Sequence, residues 1–128
     1  MKKLLLFSFI SLFVFISCKK DKDEELSLKG LWTLDNVSYK EYTNGVLTDS
    51  DTESGMGTTL DFQNNGTLVT KQGVNTESVP YIIKSTTFVE IDGELYEIRN
   101  HTFNGVALYL KESYGGNTYD EYFFNLKR

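Results

Sequence analysis

Thr58-Thr59-Leu60-Asp61-Phe62-Gln63-Asn64-Asn65-Gly66-Thr67-Leu68-Val69-Thr70-Lys71-Gln72 reads as a β-hairpin. Leu60 and Phe62 fall on one face of the strand over 58–63, and Asp61 falls on the other, because side chains alternate along a strand. Asn64-Asn65-Gly66 supplies residues that tolerate positive φ, and the chain returns through a second strand over 67–72. Working outward, the same grammar repeats. A long strand over 31–42 ends at the turn dipeptide Asn44-Gly45, and a polar loop over 46–57 follows. Beyond the hairpin come strands at 79–84, with Pro80 near the start, and at 87–91. Asp92-Gly93 turns into 94–99, then come 105–112 and, after Gly115-Gly116-Asn117, a last strand over 119–126. No helical period is sustained, and Ala occurs once, at Ala107. The expectation is an all-β domain over 28–128, a small antiparallel up-and-down barrel of about eight strands in hairpin order, since closure removes exposed edges.

The first 25 residues have a different character. Lys2 and Lys3 precede an apolar stretch from Leu4 to Ile16, which is too short to span a bilayer and fits a secretory leader over 1–17. Cys18, the single cysteine, stands where the apolar run meets the charged run Lys19-Lys20-Asp21-Lys22-Asp23-Glu24-Glu25. Phe15-Ile16-Ser17-Cys18 resembles the lipobox of bacterial lipoproteins, with Phe15 where Leu is usual. The resemblance implies cleavage before Cys18, lipid on its sulfur and attachment to the cell envelope, with the outer membrane favoured and a periplasmic or surface-facing position. Residues 18–27 then form a lipidated cysteine and charged tether. The acids in it are similar to the surface-export signal of Bacteroidetes lipoproteins, although two lysines intervene.

Composition narrows the function classes. Without the leader the chain keeps 11 basic against 18 acidic residues, a net charge of −7. That balance argues against nucleic acid as a partner, since such binding rests on Lys and Arg meeting phosphates. A lipidated Cys18 leaves no thiol for disulfides, redox chemistry or a thiolate zinc site.

Leu28-Lys29-Gly30-Leu31-Trp32-Thr33-Leu34 resembles the opening Gly-x-Trp motif of lipocalin-like domains. Leu60 to Leu68 is similar to a hairpin of small bacterial lipocalin-like lipoproteins. The resemblance implies that Gly30 and Trp32 are structural residues of the barrel floor, with Trp32 packed against a basic residue from a late strand, either Lys127 or Arg128.

Candidate chemistry is sparse. Asp49, Asp51 and Glu53 alternate as in a calcium loop, but Ser54 and Leu60 stand where such a loop needs Gly and Glu, so no metal site is expected. His101 is the lone histidine, in a turn. No Gly-x-Ser-x-Gly elbow occurs, and adjacent Asp120 and Glu121 face opposite ways on a strand. No enzyme and no cofactor are expected. Of eight tyrosines, Tyr39, Tyr81, Tyr96 and Tyr109 are candidate pocket-lining residues. Two readings stay open: a barrel holding a small apolar or amphipathic ligand, and a filled barrel acting as an envelope protein-interaction or structural module.

Overall fold

A computed structural model describes residues 26–128; the leader over 1–17, Cys18 and the charged run over 19–25 lie outside them. Nine strands follow one another: β1 (Gly30–Thr43), β2 (Val46–Ser54), β3 (Thr59–Phe62), β4 (Thr67–Gln72), β5 (Asn75–Ile83), β6 (Phe88–Ile91), β7 (Glu94–Arg99), β8 (Gly105–Gly115) and β9 (Thr118–Lys127). Every pairing is antiparallel between neighbours, and β9 returns to pair with β1. β1 and β3 to β9 thus close an eight-stranded barrel of lipocalin-like architecture, and β2 is one extra strand.

The hairpin of 58–72 forms as read. Phe62 pairs with Leu68 and Leu60 with Thr70, and Gly66 takes φ 83°. Asn44, Asp92 and Asn100 also sit at positive φ, the conformation their short polar side chains tolerate. Asn44-Gly45 and Asp92-Gly93 both place two successive residues at φ > 0, matching the right-handed twist of the flanking strands.

The two largest departures from the sequence reading lie at β2 and β5. Residues 46–54, expected as loop, form β2, which pairs with the outer half of β1 from Asn36↔Ser54 to Thr43↔Val46. All nine residues of β2 are exposed, so no apolar face announced the strand; the tight Asn44-Gly45 turn and the ladder to β1 specify it. β5 begins at Asn75 rather than at 79, because Gly73 (φ 59°) and the fully exposed Val74 make a hairpin turn with β4.

β2 and β3 share one edge of β1, joined by residues 55–58. There Gly55 donates to the Asp35 carbonyl and lies so close to β1 that a Cβ would come within 1.8 Å of the Leu34 carbonyl oxygen. Only glycine fits that approach.

Chain direction defines two ends. At one, here the floor, β1 begins, β9 finishes, and the turns at 63–66, 84–87 and 100–104 gather with the N-terminal residues 26–29. The floor half is solid: Leu28, Trp32, Phe62, Leu68, Val89, Leu108 and Leu126 form one buried cluster. A bulge between Leu34 and Asn36 in the β1–β9 ladder skips Asp35. It keeps Trp32, Leu34, Val37 and Tyr39 on one continuous inner wall. At the opposite end β2, β1, β9 and β8 rise past the rest of the barrel as a tall sheet.

Candidate functional site

The floor closes around Trp32, which has no exposed surface. Its indole N–H donates to the Leu28 carbonyl at 2.7 Å, and the Arg128 guanidinium lies 3.9 Å from the ring centroid. Arg128 also donates from Nη1 to the Lys29 carbonyl, from Nη2 to that of Ser27 and from Nε to that of Phe103. One cation thus ties the two termini of the barrel and the 100–104 turn together. Between the two candidates, the basic partner is Arg128; Lys127 turns outward to Asp35 at 3.0 Å. Gly30 sits at φ 111°, and its open side faces the Arg128 guanidinium. A side chain there would be strained and would press on that group.

The four tyrosines singled out by sequence do not share one place. Tyr81 is core: it packs edge-on against Phe62, and its hydroxyl donates to the Gln63 carbonyl. Tyr96 faces inward, opposite Val89, and meets Phe124. Tyr39 lies on the inner wall of the tall sheet, opposite Tyr122 on β9 and Asp51 on β2. Tyr109 is a correction. It pairs with Phe123 on the outer face, where Arg99 lies 3.6 Å over its ring and Glu121 accepts a hydrogen bond from its hydroxyl. Burial and that carboxylate push its phenol up to about 12. The alternation along β8 places Tyr109 opposite in sense to Leu108 and Leu110, so it cannot line the interior.

Two residues that sequence reasoning passed over complete the inner wall. Tyr39 meets Tyr122 at 5.3 Å between centroids, Tyr122 stacks with Phe124 at 6.4 Å, and Phe124 meets Tyr96 at 6.0 Å. The rings form a run from the open end down to the filled core. β9 reads Tyr119-Asp120-Glu121-Tyr122-Phe123-Phe124, aromatic on both faces, which hides the inward pair in a run without clean alternation. A shallow groove of about 300 Å³ lies along this run between Val37, Tyr39, Tyr122, Asp51 and Glu53.

Carboxylates surround the groove. Register puts Glu41, Asp49, Asp51, Glu53, Glu112 and Asp120 on the same wall, and Lys40 and Lys111 on the other face. Asp49, Asp51 and Glu53, spaced like a calcium loop in sequence, are three alternate positions of strand β2. The Tyr39 hydroxyl donates to Glu41, and Tyr114 donates to both Glu112 and Asp120. Those hydrogen bonds to carboxylates raise both phenols above the ordinary tyrosine range. Among the described residues, no three acidic or histidine side chains converge closely enough to hold a metal ion.

A second cleft, of about 560 Å³, opens at the floor between Leu26, Leu28, Ile83, Ile98 and His101. His101 lies 6.1 Å from the Trp32 ring, and its Nε2 is buried without a hydrogen-bond partner. Burial, with Arg128 nearby, lowers its pKa.

Comparison with known proteins finds no matching family model, no matching curated protein and no matching solved structure.

Proposed function

We propose that this chain is a non-catalytic lipoprotein of a bacterial cell envelope, lipidated at Cys18, whose lipocalin-like barrel binds a small apolar or amphipathic molecule. The binding reading is carried by one observation, the half-exposed aromatic run Tyr39–Tyr122–Phe124–Tyr96 on the inner wall above the filled core. Aromatic faces offer apolar contact at low entropic cost, and the ring of carboxylates favours an amphipath whose polar end is cationic. The non-catalytic reading rests on the carboxylates of the open end being engaged by tyrosine hydroxyls, Glu41 by Tyr39 and Asp120 by Tyr114. The anchor reading is supported by the leader and the border position of Cys18.

The test is native mass spectrometry of residues 19–128, which contain all nine strands, against alkyl amines, fatty acids and neutral amphipaths. Adducts with the amines that disappear in Tyr122→Ala support the reading. No adduct with any of the three classes, or adducts indifferent to Tyr122→Ala, sink it. For the anchor, Cys18→Ser is expected to abolish labelling by a fatty-acid probe and move the protein to the soluble fraction.

A second reading, docking of an envelope protein, is favoured by β2. Among the described residues its outer edge pairs with no strand, and such an edge is a template for a partner's strand. Ser50→Pro, which removes one N–H from β2, separates the two readings: it weakens a strand-adding partner and leaves amphipath binding unchanged.

A further inference from the structure

Charge is sorted along the barrel axis. The floor half holds Lys29, Lys84, Arg99, Lys127 and Arg128 against Asp35, Asp61, Glu90 and Glu97, close to neutral. The opposite half holds Lys40, Lys71 and Lys111 against the other ten of the fourteen carboxylates in residues 26–128. The floor's acids are also largely matched: Lys127 pairs with Asp35, Arg99 with Glu97 and Lys84 with Glu90.

The floor end also exposes apolar side chains. Leu26, Leu31, Phe88 and Phe103 are exposed around it, Phe103 by more than half of its surface. Leu26 also lines the floor cleft, with Leu28, Ile83, Ile98 and the His101 ring beside Ser27, Ser85 and Thr86. Exposed apolar residues are ordinary on a protein surface, and the opposite end shows Val46, Leu47, Val74 and Leu95; only at the floor do they stand beside the larger cleft and without an excess of carboxylates. The chain outside the described residues joins at this end, since Leu26 is itself a wall of the cleft. From Cys18 to Leu26 is eight residues, which extended reach at most about 29 Å.

We propose that the floor end of the barrel seats on a lipid surface, with Leu26, Leu31, Phe88 and Phe103 entering the headgroup layer and the acidic end pointing away. Charge complementarity fixes the direction. An anionic leaflet repels the opposite end, where ten carboxylates face three lysines, and tolerates the near-neutral floor with its rim of Lys29, Lys84 and Arg128. The seating is a contact of the folded domain, additional to any lipid on Cys18. It rests on the lipoprotein reading only in that a short tether leaves from this end. The aromatic groove at the opposite end is then presented to the aqueous side.

The test uses the full chain as purified from an exporting bacterium, with a nitroxide at Phe103→Cys or Leu31→Cys on the floor, or at Val74→Cys at the far end. All three positions are more than half exposed, so labelling leaves the core untouched. On vesicles of phosphatidylethanolamine and phosphatidylglycerol, the floor labels are expected to lose collision with a water-soluble nickel complex and gain collision with oxygen several-fold. The Val74 label is expected to keep its aqueous values. Intact mass of the same samples reports the lipid. Lipidated protein on vesicles with floor labels as aqueous as the Val74 label overturns the seating and leaves the anchor standing. Unlipidated protein with protected floor labels upholds the seating and overturns the anchor. Protein that stays off the vesicles overturns both.

Discussion

The two ends of this barrel are built from the same strands by opposite rules. At the floor, β1 and β9 contribute Trp32, Leu34 and Leu126 to a closed core, and their polar groups are satisfied inside the fold. A few residues further along the same two strands, β1 and β9 carry Tyr39, Glu41, Asp120 and Tyr122 on a wall that stays half exposed. The difference teaches that closure, and not strand length, makes the core. Where β3 and β4 complete the circle the inner face is buried; where β2 takes the place of β3 beside β1 it stays half exposed and charged. Stability is therefore concentrated at the floor, and the open end keeps its aromatic and acidic side chains accessible.

The largest break in that contrast is Trp32→Ala. Removing a fully buried indole from the floor is expected to cost about 3–5 kcal/mol in a denaturant titration. A loss below about 1 kcal/mol would show that the floor is not the stable end. Arg128→Ala comes next, at about 1–2 kcal/mol, since it removes a cation over the indole and three hydrogen bonds to backbone carbonyls. Lys127→Ala, which breaks only an exposed pair with Asp35, is expected to cost less than about 0.5 kcal/mol. Equal effects of the two would deny Arg128 its role at the floor.

The ends also differ in pH response. His101 at the floor has a folded-state pKa below its unfolded value near 6.5, so the unfolded chain takes up protons first on acidification. Its contribution is present above that value and is lost as pH falls below about 6.5 toward the folded pKa. His101→Phe is expected to flatten the acid limb of a melting-temperature profile. Tyrosines at the open end have the reverse linkage. Their folded pKa values are raised, so stability present below about 10 is lost as pH climbs toward them. Tyr39→Phe, which removes the hydroxyl bonded to Glu41, is expected to weaken that alkaline loss without touching the acid limb. A swap of the two limbs between the variants would contradict the assignment. The smallest effect is expected from Asp51→Asn. It relieves like-charge crowding beside Glu53 and Tyr39 and should raise the melting temperature slightly, most at low salt.

The sequence carries the barrel legibly because its turns are written in Asn, Asp and Gly at positive φ, and because Leu60, Phe62, Val106 and Leu108 alternate cleanly. β2 was not legible for a physical reason: it buries neither face, so the alternation of Asp49, Asp51 and Glu53 is one of charge and not of hydrophobicity. Trp32 could be placed at the floor, but the choice of Arg128 over Lys127 depends on which side of β9's last residues faces the ring. The inner wall was half legible. Tyr39 and Tyr96 stand there, Tyr109 stands on the outside, and Tyr122 and Phe124 were masked by a strand aromatic on both faces.

The contrast between a sealed floor and an open, charged end is tested most directly by residue-resolved amide hydrogen exchange under native conditions. The slowest amides are expected in the floor stretches of β1, β3, β8 and β9, around Trp32, Phe62, Val106 and Leu126, exchanging only by global unfolding. The amides of β2 are expected to exchange fastest of any strand, by local opening away from β1. Protection in β2 equal to that around Trp32, or rapid exchange where β9 pairs back to β1 at Leu34 and Leu126, would contradict the account.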